Sequence, residues 1–288
     1  MLLLIMFLAM LAMILINVPI AIALAIAAVI GVAAGGLDNL TSVAIEMYRG
    51  STSFSLIAIP MFVLAGAIMN AGGISRRLIS FVSALIGFVR GGLAMVNIGV
   101  SLIFAEISGS AVADVAAMGS VMIPEMKRKG YSKEFAAAVT SSSASLAIII
   151  PPSIPMILYA IAAGTSVEQL FIAGFVPGLI GGLGLMVVAY IFARKYNFPV
   201  EEAFAIPNIR KTFVEAIPCL LLPVIILGGI FSGLATATEA AGLAVLASIL
   251  VAMWYRELDF RQLKAAMLDG GMQTAVVMVL VAASILMG

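Results

Sequence analysis

The sequence predicts an all-α polytopic membrane fold with an inverted internal repeat, a re-entrant helical hairpin and an incomplete second repeat. Three observations carry this. Hydrophobic residues make up 64% of the 288, charged residues 10%, and mean hydropathy is +1.23; a soluble domain is roughly half apolar and about a quarter charged. The apolar residues fall into runs of membrane length, punctuated by Gly, Pro and charge. Once those runs are threaded through a bilayer, nearly all basic residues fall on one side.

The opening stretch, MLLLIMFLAMLAMILINVPIAIALAIAAVIGVAAGG, lacks the basic start of a signal peptide and is far too long for one. It reads as two membrane segments, 1–16 and 18–36, broken at Asn17-Val18-Pro19. Further apolar segments follow at 51–71, 91–107, 115–124, 134–163, 167–193, 212–232, 236–254 and 271–288. The piece 115–124 would cross only about half of a ~30 Å hydrocarbon core, so 91–124 is expected to form a re-entrant hairpin. With both hairpin ends on one face, fourteen of the fifteen basic residues gather there and only Arg49 lies opposite. The positive-inside rule then makes that face cytoplasmic and the N-terminus external. A spanning 91–124 unit would instead set Lys127, Arg128, Lys129 and Lys133 against Arg90.

Two connections read as surface helices. In YRELDFRQLKAAMLDG, Phe260, Leu263 and Met267 recur at i, i+3 and i+7, opposite Arg261 and Lys264. Residues 78–90, between Arg77 and Arg90, are expected to do the same, an ordinary loop being the alternative. The stretch around Gly50, YRGSTSFSLIAIPMFVLAGAIM, is weakly similar to that around Gly270, LDGGMQTAVVMVLVAASILMG. The threading enters these two copies from opposite faces, the plan of an inverted repeat. The expected organisation is a first repeat over 1–220, holding scaffold helices, the hairpin and a broken helix at 134–163, and the start of a second over 221–288. The chain is therefore expected to be a fragment, with its second repeat truncated.

The chemistry is bounded by what is missing. The chain has no histidine and one cysteine, Cys219. Triads resting on histidine, histidine-ligated metals and disulfides within the chain are excluded. A net charge of +1 gives no field for nucleic acid. Two polar constellations lie among the apolar runs. One is the hairpin tip, Glu106, Ser108, Gly109 and Ser110, followed by Asp114. The other is SSSASLAIIIPPSIP, with Ser141, Ser142, Ser143 and Ser145 ahead of Pro151, Pro152 and Ser153. Paired prolines remove backbone donors and break the span. Carbonyls freed at membrane depth persist only where protein buries them or they line a cavity, and such oxygens with hydroxyls suit a hard cation. Serine and glycine clusters also mediate close helix packing, and Asp114 also fits the N-cap of the half-helix after it. An acid in a membrane segment nonetheless usually faces a cavity or a partner. Glu239, in GLATATEAAG, is a weaker candidate of the same kind.

SGSAVADVAAMGSVMIPEMKRKGYSKEFAAAVTSSSASLAIIIPPSIPMILYA resembles the large permease subunit of tripartite ATP-independent periplasmic (TRAP) transporters. RGSTSFSLIAIPMFVLAGAIMNAGGI and ATATEAAGLAVL extend the resemblance from about Val18 to the last residue. It implies an elevator-type secondary transporter in a bacterial or archaeal inner membrane, importing organic acids. Na⁺ would be the coupling ion, with no other cofactor. A periplasmic substrate-binding protein and a small four-helix membrane subunit would be its partners, with lipid around it. Carried over by position, Ser108, Gly109, Ser110 and Asp114 are the tip candidates, and Ser141 to Ser145, Pro151, Pro152 and Ser153 those of the broken helix. The serine run replaces the alanine, glycine and threonine common in relatives, and Ala237 stands where a proline is common. The family's second hairpin would lie beyond Gly288, so the chain by itself is expected not to transport. Three other readings remain: a Na⁺- or H⁺-coupled elevator carrier without a binding protein, an intramembrane enzyme using Ser–Lys or Asp–Asp chemistry, and a structural scaffold.

Overall fold

Asn17 takes a left-handed φ of 66° and Pro19 opens the next helix, so the first apolar run divides where its turn residues stand. The resulting helices are α1 (Leu2–Leu15) and α2 (Ile20–Ala34). The computed structural model describes residues 2–35, 40–200 and 204–286, without the side chains of Leu40, Ser42, Ile107 and Ser108. Its further helices are α3 (Leu40–Ser51), α4 (Ala58–Ala71), α5 (Ile74–Ile86), α6 (Gly92–Ser108), α7 (Ala111–Arg128), α8 (Lys133–Ala144), α9 (Ile154–Ala163), α10 (Val167–Lys195), α11 (Ile206–Phe231), α12 (Ala237–Trp254) and α13 (Phe260–Ile285). No strand occurs among the described residues. Five segments, Phe54–Ala71, α10, α11, α12 and α13, are long and apolar enough to cross a membrane. The chain is an all-α polytopic membrane protein.

Two compact units divide the chain, 1–57 with 271–288, and 58–270. In the first, Gly31 lets α2 close on α1, since a side chain there would run into the Met6 thioether. Leu3, Leu4, Phe7 and Leu15 stay exposed, as lipid-facing side chains do. In the second, α4 and α12 pack through small residues: Ala58, Ala65 and Gly66 on one, Ala237, Ala240, Ala241, Ala244 and Ala252 on the other. The α5 helix buries Ile74, Leu78 and Val82, one turn apart, and exposes Arg76 and Ser80. It starts four residues before the expected surface segment. Arg77 on it reaches Glu257 at 2.6 Å and lies 3.7 Å over the Tyr255 ring, whose hydroxyl donates to the Glu215 carbonyl at 2.6 Å. The Arg77 guanidinium holds the Glu257 carboxyl below its usual range.

Two expected boundaries are corrected. The second hairpin arm is not ten residues but the 18 of α7, because helix-forming residues continue past Pro124 and close with Lys127 and Arg128 beside the helix dipole's negative end. The surface helix and the span expected as separate pieces, 255–270 and 271–288, are one helix, α13. Two consecutive glycines weaken a helix by about 1 kcal/mol each relative to alanine, and Ala265, Ala266, Met267 and Leu268 before them offset that.

The two arms form a helical hairpin. The α6 and α7 helices are joined by two residues and pack on each other. At the start of α6, Gly91 N–H donates to the Pro199 carbonyl at 3.1 Å; beyond the end of α7, the Tyr131 ring lies 4.4 Å from that of Phe198. Both hairpin ends therefore meet the connection that follows α10. Arg90, Lys129, Lys133, Arg194 and Lys195 are gathered at this one basic end.

Candidate functional site

The hairpin turns on two residues. Gly109 takes the left-handed region at φ 59° and its N–H closes α6 on the Ala105 carbonyl. Ser110 is extended, and its hydroxyl accepts from Ala113 N–H at 3.3 Å, capping α7. Asp114 is thus not the cap that its position in the sequence allowed. It sits one turn further in, still where the helix dipole favours negative charge.

The broken helix forms the facing wall. After α8 the chain makes a 3-10 turn at Ser145–Ile148, runs irregularly through Pro151 and Pro152, joined by a cis bond, and resumes as α9. Buried Ser153 caps α9: its hydroxyl accepts from Met156 N–H at 3.4 Å and donates to the Ile148 carbonyl at 2.7 Å. Among the described residues no backbone N–H donates to the carbonyls of residues 149–152. Tip and break meet directly, because Ile154 N–H donates to the Gly109 carbonyl at 3.1 Å. Ala105, Leu146, Ala147 and Ile150 pack beneath that contact, with Leu102 and Ala111 at their edge.

Beneath the tip lies a polar ladder between α6 and α8. Asn97 Nδ2 donates to Thr140 Oγ1 at 2.7 Å, and Ser101 Oγ donates to Ser143 Oγ at 3.1 Å. Thr140 donates on to the Ala136 carbonyl at 2.9 Å and Ser143 to the Thr140 carbonyl at 3.1 Å. The Asp114 side chain comes against the Ser101 hydroxyl, whose proton is already directed to Ser143. Asp114 is 0% exposed, and apart from the Ser101 hydroxyl beside it its carboxylate has no hydrogen-bond partner among the described residues. Asn97 Oδ1 is likewise buried, without a donor among the described residues. A buried carboxylate is costly unless a proton or a cation joins it. No cluster of three acidic, cysteine or histidine residues occurs among the described residues. The oxygens that meet here are those of the Asp114 carboxylate and the Ser101 hydroxyl, with Ser143 next to Ser101, a kind that suits a hard ion more than a transition metal.

Of the residues picked from the sequence, Gly109, Ser110, Pro151, Pro152 and Ser153 come together at the tip, and Asp114 and Ser143 below it. Ser141, Ser142 and Ser145 are exposed, and Ser145 donates to the Ser142 carbonyl at 2.7 Å. Glu106 is half-buried on α6. Glu239 is engaged elsewhere, in a capping box where the Thr236 N–H and hydroxyl both reach its carboxylate at 2.8 Å. The Ser108 side chain lies outside the described residues. Asn97, Ser101 and Thr140 were missed. The available signal was Asn97 and Ser101 one turn apart inside an otherwise apolar segment, where polar groups mark interhelical contacts.

Residues 7–288 match the family described as tripartite ATP-independent periplasmic transporter, DctM component. The chain is 44% identical over 250 residues to the C4-dicarboxylate TRAP transporter large permease protein of Pseudomonas aeruginosa, covering 86% of this chain and 58% of that protein. To the 2,3-diketo-L-gulonate TRAP transporter large permease protein of Escherichia coli it is 42% identical over 243 residues, covering 84% and 57%. To the sialic acid TRAP transporter permease protein of Haemophilus influenzae it is 36% identical over 245 residues, covering 84% and 40%. The chain thus spans less than two thirds of the length of these relatives.

Proposed function

The chain belongs to the DctM component family of tripartite ATP-independent periplasmic transporters, and on that premise we propose that it forms the membrane core of a sodium-coupled importer of organic acids. The family is one of permeases, not enzymes. A periplasmic binding protein delivers the substrate and a small membrane subunit stands beside the permease. The substrates in the names of these three relatives, C4-dicarboxylates, diketogulonate and sialic acid, carry carboxylates, and a further relative is named for the sulfonate isethionate; this favours an organic acid here. The basic end, gathered from both ends of the hairpin and the connection after α10, faces the cytoplasm of a prokaryotic cell, and the N-terminus lies outside.

One observation supports the sodium reading: Asp114 is wholly buried on α7 with the Ser101 hydroxyl against its carboxylate, and among the described residues no cation pairs with it. Na⁺ held there neutralises the carboxylate, and its binding favours the packed arrangement of α6, α7 and α8. The Gly109–Ile154 hydrogen bond and the apolar cluster beneath it tie tip and broken helix into one body. Moving that body between the two faces is the transport step, driven by the sodium gradient without ATP.

The test uses the intact transporter with its binding protein in proteoliposomes. Asp114→Asn keeps the volume and removes the charge. Uptake of a carboxylate panel is expected to fall to background under a sodium gradient, with assembly unchanged. Uptake that keeps its sodium dependence in this variant removes Asp114 from the site; uptake without any gradient, driven by ATP, overturns the mechanism.

A further inference from the structure

Outside the site, an apolar groove of ≈ 680 Å³ lies between α8 and α10 at the basic end. Ile98 and Leu185 form its floor, Phe135 and Val139 one wall, and Val188 and Phe192 the other. It occupies the side of α8 opposed to the polar ladder: Phe135, Ala138, Val139 and Ser142 line the groove, whereas Thr140 and Ser143 face α6. Nothing in the transport reading uses it.

Its mouth has the composition of a membrane interface. Phe135, Phe192, Tyr196 and Phe198 form a chain of rings with centroids 5.0–6.0 Å apart, and Tyr196 among them is of the type enriched where hydrocarbon meets head groups. Around them stand exposed Lys133, the first residue of α8, and exposed Arg194 and Lys195, the last of α10. The Lys195 ammonium lies 5.6 Å over the Tyr196 ring. Glu134 at the rim opposes these three cations, and Glu125 is engaged with Arg128 on α7. A cationic rim above an apolar slot complements an anion that carries a long alkyl chain. Basic pockets between transmembrane helices bind anionic lipid head groups for this reason.

We propose that this groove is a binding site for an anionic phospholipid of the leaflet at the basic end. One acyl chain lies between Phe135 and Val139 on α8 and Val188 and Phe192 on α10. The phosphate meets Lys133 and Lys195. Because the same helix, α8, carries Thr140 and Ser143 on its other side, the bound chain braces the wall of the polar ladder from behind.

The test places the full transporter in nanodiscs containing phosphatidylglycerol with a photoreactive group in its acyl chain, and in parallel phosphatidylethanolamine with the same chain. After irradiation the adducts are mapped by mass spectrometry. Adducts from the glycerol lipid are expected on the peptides around Ala138 and Val188. Ala138→Phe, at an exposed position lining the groove, should remove them and leave adducts on the outer face of α11 unchanged. Lys133→Gln or Lys195→Gln, surface changes that leave the core intact, should each lower them about fivefold, the weight of one cation near a charged surface. Equal labelling by both lipids that ignores the lysines shows an unselective lipid shell and overturns the site. Absence of groove adducts in the wild type, the result if another protein segment fills it, overturns it equally.

Discussion

Replacing Gly109 with alanine puts a methyl group where the tip meets the break. The position has φ 59°, and a Cβ there would stand 2.8 Å from the Pro152 carbonyl oxygen and 3.5 Å from Ile154 N. A left-handed conformation disfavours an L-residue by roughly 1–2 kcal/mol. Forcing an extra carbon against backbone adds typically about 1–3 kcal/mol, for a total of roughly 2–5 kcal/mol. Gly164 supplies the control, since its φ is 63° and nothing lies within 4 Å of its would-be Cβ. Gly164→Ala therefore carries the conformational cost alone, about 1–2 kcal/mol. Unfolding midpoints and sodium-driven uptake are measured for both variants in the intact transporter. Gly164→Ala is expected to be modestly less stable with uptake retained. On the proposed mechanism Gly109→Ala should lose more stability and at least about tenfold in uptake, each ~1.4 kcal/mol added to the transport barrier being a factor of ten. Equal effects of the two substitutions on both measurements would show that the tip is not seated on the Pro152 carbonyl.

The Arg77–Glu257 pair contributes less than about 1 kcal/mol, because its carboxylate is 37% exposed and screened by solvent. Its sign with pH is fixed: the folded value of Glu257 is depressed, so the contribution is present above its unfolded value, about 4.3, and is lost as pH falls through the folded one. Glu257→Gln should be slightly less stable than the wild type at neutral pH and equal to it in acid; a gap that persists in acid refutes the pairing. Arg128→Cys should react with an impermeant maleimide only from the cytoplasm and Arg49→Cys only from outside, and the reverse pattern overturns the orientation. Glu239→Gln should retain uptake while Thr236→Ala lowers the melting temperature, separating the capping box from the transport site; loss of uptake in Glu239→Gln alone would return that residue to it.

The parts of the fold that were legible are those that single residues dictate. Asn17 and Pro19 divide the first apolar run, and Pro151 and Pro152 break the long one, wherever the neighbours lie. Charge placement marked the hairpin because a membrane sorts lysine and arginine by side, a constraint that acts on the chain before any packing does. Helix lengths were less legible. Counting apolar residues ended the second arm at Pro124, but a helix ends where its backbone bonds end, and Glu125 to Arg128 continue them.

The site was half legible for a related reason. Asp114, Ser110, Ser143, Ser153 and the prolines are conspicuous by type, whereas Asn97, Ser101 and Thr140 gain meaning only from which face of α6 turns toward α8. Helical periodicity places Asn97 and Ser101 on one face, and Thr140 and Ser143 on another, without saying that the two faces meet. Once they do, the spacings match: Asn97 pairs with Thr140 one turn along from where Ser101 pairs with Ser143. Two bonds at successive turns fix the register of α6 against α8, and a slide by one residue would break both. Ser110 then sets the start of α7, which brings Asp114 to the level of Ser101. The position of the buried acid is thus set by neutral residues, the Ser110 cap of its own helix and the Ser101 hydroxyl that the ladder to α8 holds.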